Sequence, residues 1–200
     1  MTKRRMWSLE FSTAVFVLIP TAICINFLGK LFASVLNLPL WIDAIGTMLA
    51  SMLAGPIVGA IVGVVTNIVY GFTTDPVSSV YAITQAIIGI VVGVMAYRGW
   101  ISNIVKVLIL GVVVGFIAAI VSTPLNIIFW AGKTNNVWGD TLFALMLAID
   151  MPLWVASFAN SIVVDVPDKI VTVLLSYLMF KGFPKNVKLM YENKKGIERL

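Results

Sequence analysis

The chain has 200 residues, of which 60% are hydrophobic and 12% charged, with a mean hydropathy of +1.01. A water-soluble domain carries roughly 25% charged residues, so this composition excludes a soluble globular protein and indicates a polytopic membrane protein. The net charge of +5 comes from the termini, and it suits an anionic membrane leaflet rather than nucleic acid.

In chain order, a basic N-terminus (Lys3, Arg4, Arg5) precedes an apolar run over residues 11–35 that contains Pro20, a kink point. This run is too long for a signal-peptide core and lacks a small-residue cleavage site, so it is expected to stay as the first span. Asn37 and Pro39 interrupt it. A short second span is expected over residues 41–54, ending at the turn signal Gly55-Pro56. Further spans are expected over residues 56–72, 80–97 and 104–130. A polar loop with Asp75 and Pro76 precedes the fourth span, and a loop with Arg98 precedes the fifth. A last span over residues 162–180 leads into a basic tail.

Residues 140–161 are apolar enough to span but contain Asp150 and Pro152. The Lys/Arg bias of short loops decides the count. Of the 14 basic residues, all but Lys30, Lys133 and Lys169 lie at the N-terminus, at Arg98 and Lys106, or in the tail from Lys181 to Arg199. Six spans put these three groups on one side of the bilayer, whereas seven put the tail on the other. The expected fold is therefore an all-α integral membrane domain of six transmembrane helices with cytoplasmic N- and C-termini. Residues 140–161 then form an outer cap or re-entrant segment, whose polar groups protein or water must satisfy.

Three spans carry small residues at i, i+4 spacing, which let helix backbones approach closely. The stripes are Gly55, Gly59, Gly63, Asn67 and Gly71; Tyr81, Gln85, Gly89 and Gly93; and Gly111, Gly115, Ala119, Ser122 and Asn126, with Trp130 one turn on. Each is small toward the inner half and polar or aromatic toward the outer half. Tight packing inside and a wider, outward-facing polar pocket follow from that.

The charges inside the apolar runs are costly unless paired or used. Asn26 and Lys30 lie one turn apart near the outer end of the first span, and Asp43 opens the second at similar depth. Lys30 and Asp43 either pair with each other or line a ligand cavity. Asp165, Asp168 and Lys169 open the last span, where acids also suit a helix N-terminus. Trp41, Tyr70, Tyr81, Trp130, Trp138 and Trp154 gather toward the outer side, as an interfacial belt or as a stacking cage for a flat heterocycle. The carboxamides of Asn67, Gln85, Asn126 and Asn160 suit a planar, hydrogen-bonding ring system.

Enzymatic sets are missing from the sequence. It has no His and a lone Cys24, which removes His-based metal sites and His-activated nucleophiles. Gly132-Lys133-Thr134 resembles the end of a phosphate loop, but Ile127 stands where its first glycine is required. No cofactor is expected. A pocket open only outward needs a partner to supply alternating access.

The stretch from Trp41-Ile-Asp-Ala-Ile-Gly-Thr through Gly55-Pro-Ile-Val-Gly-Ala-Ile-Val-Gly to Asn67 and Gly71 resembles the substrate-binding S-components of energy-coupling-factor (ECF) vitamin transporters. So does Pro167-Asp-Lys-Ile-Val-Thr-Val-Leu-Leu leading to Phe180-Lys181. The resemblance implies capture of a water-soluble vitamin at the outside of a bacterial plasma membrane. It also implies docking on a transmembrane coupling subunit driven by two cytosolic ATPases. The family's docking face often carries Ala-x-x-x-Ala on the first span; here the nearest small pair is Ser8-x-x-x-Ser12. Site residues expected on these grounds are Asn26, Lys30, Trp41, Asp43, Asn67, Tyr70, Tyr81, Gln85, Asn126, Trp130, Asp165 and Lys169. Few cations argue against a polyanion such as folate and favour pyridoxine or riboflavin. The alternative reading is a membrane sensor that binds a small ligand, which a fused or neighbouring kinase would favour.

Overall fold

A computed structural model describes Trp7 and residues 12–74 and 76–192. The basic residues Lys3, Arg4, Arg5, Lys194, Lys195 and Arg199, together with Ser8, Phe11 and Asp75, lie outside the described residues. Among those described, the chain is all-helical. The α-helices are α1 (Thr13–Val35), α2 (Ile45–Ala54), α3 (Pro56–Thr73), α4 (Ala82–Tyr97), α5 (Ile104–Trp130), α6 (Val137–Ala148), α7 (Leu153–Gly182) and α8 (Lys185–Glu192). A 3-10 turn, Pro76–Tyr81, leads into α4. Four stretches are long and apolar enough to cross a membrane: α1, α3, the 3-10 turn with α4, and α5. The protein is thus built as an all-α membrane protein.

Two expected boundaries move. Helix α2 covers only ten residues, about 15 Å at 1.5 Å per residue, which is half a bilayer core. Every one of its residues is buried, because α1, α3, α4 and α7 all pack around it. Residues 41–44 are not helical; they enter α2 as an irregular strap with Ile42 at φ 51°. The second change concerns residues 140–161. Asp150 takes a left-handed conformation (φ 58°) and Pro152 caps α7, so the chain breaks in the middle of that segment. Residues 153–161 therefore belong to the last long helix. Helix α6 leans on α7 and leaves Val137, Trp138 and Leu145 exposed, instead of closing over the bundle as a cap.

The glycine stripes are packing seams, as their spacing suggests. A Cβ on Gly89 would stand 2.5 Å from the backbone of Gly59, so α3 and α4 touch backbone to backbone. A Cβ on Gly115 would stand 2.6 Å from Val166 Cα, which fixes α5 against α7 in the same way. Lipid is as apolar as leucine, so close packing of this kind supplies much of the association between membrane helices. Ser12, half of the small pair at the start of the first span, is the N-cap of α1 and accepts from Val15 N at 3.3 Å.

Candidate functional site

Helices α1, α3 and α5 bring their C-terminal halves to the place where the strap, the start of α4 and the middle of α7 contribute polar residues. A cavity of about 130 Å³ opens there. The polar ends of all three stripes reach it: Asn67 from α3, Tyr81 and Gln85 at the start of α4, and Ser122 and Asn126 from α5. Trp41 and Asp43 enter from the strap, Lys30 from α1, and Asp165 and Lys169 from α7.

The charges pair differently from the expectation. Lys30 does not meet Asp43; its Nζ donates to Ser78 Oγ at 2.6 Å and sits 4.3 Å from the centre of the Tyr70 ring. Asp43 pairs instead with Lys169, at 3.4 Å, and Lys169 also holds its neighbour Asp168. Lys169 is 3% exposed and Asp168 is fully buried, a burial that ions tolerate only when paired and hydrogen-bonded. Asp168 meets that condition with Oδ1, which accepts from the backbone N–H groups of Trp41 (3.0 Å) and Ile42 (2.8 Å). These residues lie in the middle of the 30-residue α7, so a helix N-terminus does not explain them. Their work is to hold the strap. A β-branched residue at positive φ is costly, and the Asp168 carboxylate fixes Ile42 in that state. Trp41 is thereby placed at the cavity wall, which Asp165 also lines.

Three expected site residues are elsewhere. Asn26 is fully buried and does not line the cavity. Its Oδ1 accepts from Gly46 N (2.7 Å) and Thr47 N (3.2 Å), and its Nδ2 donates to Thr47 Oγ1 and Thr66 Oγ1. The first N–H groups of a helix have no intrahelical partner, and Ala44 gives α2 no side-chain cap. Asn26 supplies that cap from α1. Tyr70 is buried behind the cavity; it stacks on Phe27 and donates its hydroxyl to Asn26 O. Trp130 stands just outside and stacks on Tyr81, 5.5 Å between ring centres. The carboxamide of Asn160 also serves the fold. With Asp140 it fastens Thr134 in the turn after α5, which accounts for the Gly132-Lys133-Thr134 run.

Trp138 and Trp154 are 64% and 63% exposed and do not line the cavity, so the aromatic set divides between the surface and the cavity. Several lining residues were not expected. Thr84 and Ile88 lie three residues beyond Tyr81 and Gln85, and Ala118 lies four before Ser122; helical spacing alone places each pair on one face. Ser78, Thr134 and Asn135 come from turns and leave no such trace.

Within this cavity two groups have no protein partner. Asn67 and Gln85 are each 2% exposed, yet no hydrogen bond among the described residues reaches either carboxamide. An unpaired buried polar group costs about 1–3 kcal/mol. By contrast, Tyr81 donates to Asn126 Oδ1, and Asn126 Nδ2 donates to Ser161 Oγ at 3.0 Å, so these neighbouring polar groups are satisfied internally. The described residues contain no cluster of metal-binding side chains. No family model, curated protein or solved structure matches the chain.

Proposed function

We propose that the protein is the substrate-capture subunit of an ATP-driven importer of the ECF type, taking a water-soluble vitamin from the outer side of the cell membrane. In this reading α1, α2 together with the strap, α3, α4, α5 and α7 make six crossings, both termini are cytoplasmic, and the cavity faces outward. A transmembrane coupling subunit and two cytosolic ATPases drive release inward. The observation that carries the reading is the Gln85 carboxamide, whose buried Oε1 has no hydrogen-bond partner among the described residues, standing with the Asn67 carboxamide on the wall of a cavity beside Trp41 and Tyr81. Ligand sites combine aromatic walls with a few placed polar groups in this manner. The volume of about 130 Å³ is near the ~150 Å³ that accommodates one benzene ring. It favours a single-ring vitamin of the pyridoxine type over a tricycle such as riboflavin.

Titration of tryptophan fluorescence with a vitamin panel tests the proposal, because Trp41 lines the site. A vitamin binding below about 1 μM, some −8 kcal/mol, is the expected result. A panel without any binder at that level rules the reading out.

A further inference from the structure

The end of the bundle opposite the cavity is basic. The close of α4, the start of α5 and the close of α7 meet there, since Trp100, Ile101, Val107 and Tyr177 belong to one apolar cluster. Arg98, Lys106, Lys181 and Lys185 are exposed at that end. The sequence has no acid between Asp75 and Asp140, nor between Asp168 and Glu192. Glu192, the last residue of α8, is therefore the one acid that the described residues bring to this end. A topology signal needs only charges near the ends of spans, but α8 gives these charges a fixed place. Phe183 and Tyr191 pack it against the apolar cluster of α1, α2 and α3, which Phe180 also joins. Lys188 serves the fold: its Nζ donates to Lys181 O at 3.3 Å and lies 4.8 Å from the centre of the Phe180 ring. Lys185, by contrast, has no partner among the described residues. Leu189, one turn on along the same helix face, is 46% exposed. A lysine and an exposed leucine on one face, with the other face anchored, suit a helix lying in a headgroup layer: the leucine enters the acyl boundary and the ammonium meets phosphate.

We propose that this end is a binding surface for anionic phospholipid, with headgroup phosphates against Lys181 and Lys185 and acyl chains against Leu189. Arg98 and Lys106 extend the positive rim. A lipid fits better than an acidic protein surface because Lys106 stands in the first turn of α5, a helix long and apolar enough to cross a membrane. The rim is thus at the depth where headgroups lie, and each basic residue at such a surface adds to the attraction of an anionic leaflet. The bound lipid holds α8 in place under α1 and α2, and so stabilises the whole bundle. The proposal is independent of what the cavity captures.

Thermal melts of the full chain, delipidated in an uncharged detergent, test this. Phosphatidylglycerol is compared with phosphatidylcholine of the same acyl chains, so that only headgroup charge differs. Phosphatidylglycerol is expected to raise the melting temperature by about 3 °C or more, and phosphatidylcholine to leave it nearly unchanged. Salt at about 0.5 M should remove most of that rise, because exposed charges are screened. The double variant Lys181→Gln/Lys185→Gln spares Lys188 and should melt like the wild type without lipid, yet lose at least half of the rise. Equal effects of the two lipids overturn the proposal and leave the rim as a surface for an acidic protein. A double variant that keeps the full rise overturns it as well, since the lipid then binds elsewhere. Should the double variant not fold, the two lipids compared on the wild type at low and high salt decide alone.

Discussion

Two asparagines one helix apart show how differently one side chain can be used. Asn26 and Asn67 are both buried, at 0% and 2% exposure, and both face the polar end of the bundle. Asn26 uses its oxygen twice and its nitrogen twice, tying α1 to α2 and α3. Asn67 has no partner among the described residues and looks onto an open cavity. A satisfied buried carboxamide stabilises the fold, whereas an unsatisfied one is tolerated where something else completes it. The contrast separates fold-holding from ligand-holding polar groups on grounds of hydrogen bonding, which burial alone cannot do.

The largest effect is expected at the satisfied member. Asn26→Ala leaves the Gly46 and Thr47 N–H groups without a cap in an apolar surround, at a cost of about 3 kcal/mol. Gly46 cannot relax to compensate, because it lies against α1 so closely that a Cβ there would stand 1.9 Å from Ala22 O. A thermal melt in detergent should show a clear fall in melting temperature. An unchanged melt would mean that water caps α2 equally well and that the comparison is false.

How far the sequence reveals this contrast depends on the residue. The i, i+4 stripes bring Asn67, Gln85 and Asn126 to the cavity from sequence alone, because helical spacing fixes which face a residue occupies. The same logic places Asn26 and Lys30 on one face but does not say which neighbour each meets. Asn26 is consumed by the start of α2, and nothing in residues 41–54 announces that this helix lacks its own cap. Likewise, the choice between Asp43 and Ser78 as partner for Lys30 depends on where the strap turns at Ile42, a positive-φ geometry that a β-branched residue does not advertise. The break at Asp150–Pro152 is visible as residue types, yet charge counting bears only on how many crossings to expect. It could not decide that residues 153–161 continue into α7.

At the unsatisfied member the expected effect falls on binding. Asn67→Ala removes no internal hydrogen bond, so stability should stay within about 0.5 kcal/mol. Affinity for the vitamin identified in the panel should drop about tenfold, since a ligand group would lose its partner. Gln85→Ala should behave alike. A strongly destabilised Asn67→Ala with unaltered affinity would move Asn67 into the class of Asn26.

The smallest effect is expected where an aromatic lies outside both networks. Trp138 opens α6 with 64% of its surface exposed and its backbone N–H accepted by Asn136 Oδ1 at 3.1 Å. The cap therefore does not depend on the indole. Trp138→Ala should change stability by no more than about 0.5 kcal/mol and should leave vitamin affinity unaltered. In contrast, Trp41 bridges the two regions, with its backbone N–H on Asp168 and its side chain lining the cavity. If Trp138→Ala weakened binding as Asn67→Ala is expected to, α6 would have to reach the cavity during capture, and the boundary between site and scaffold would lie farther out along the α5–α7 connection.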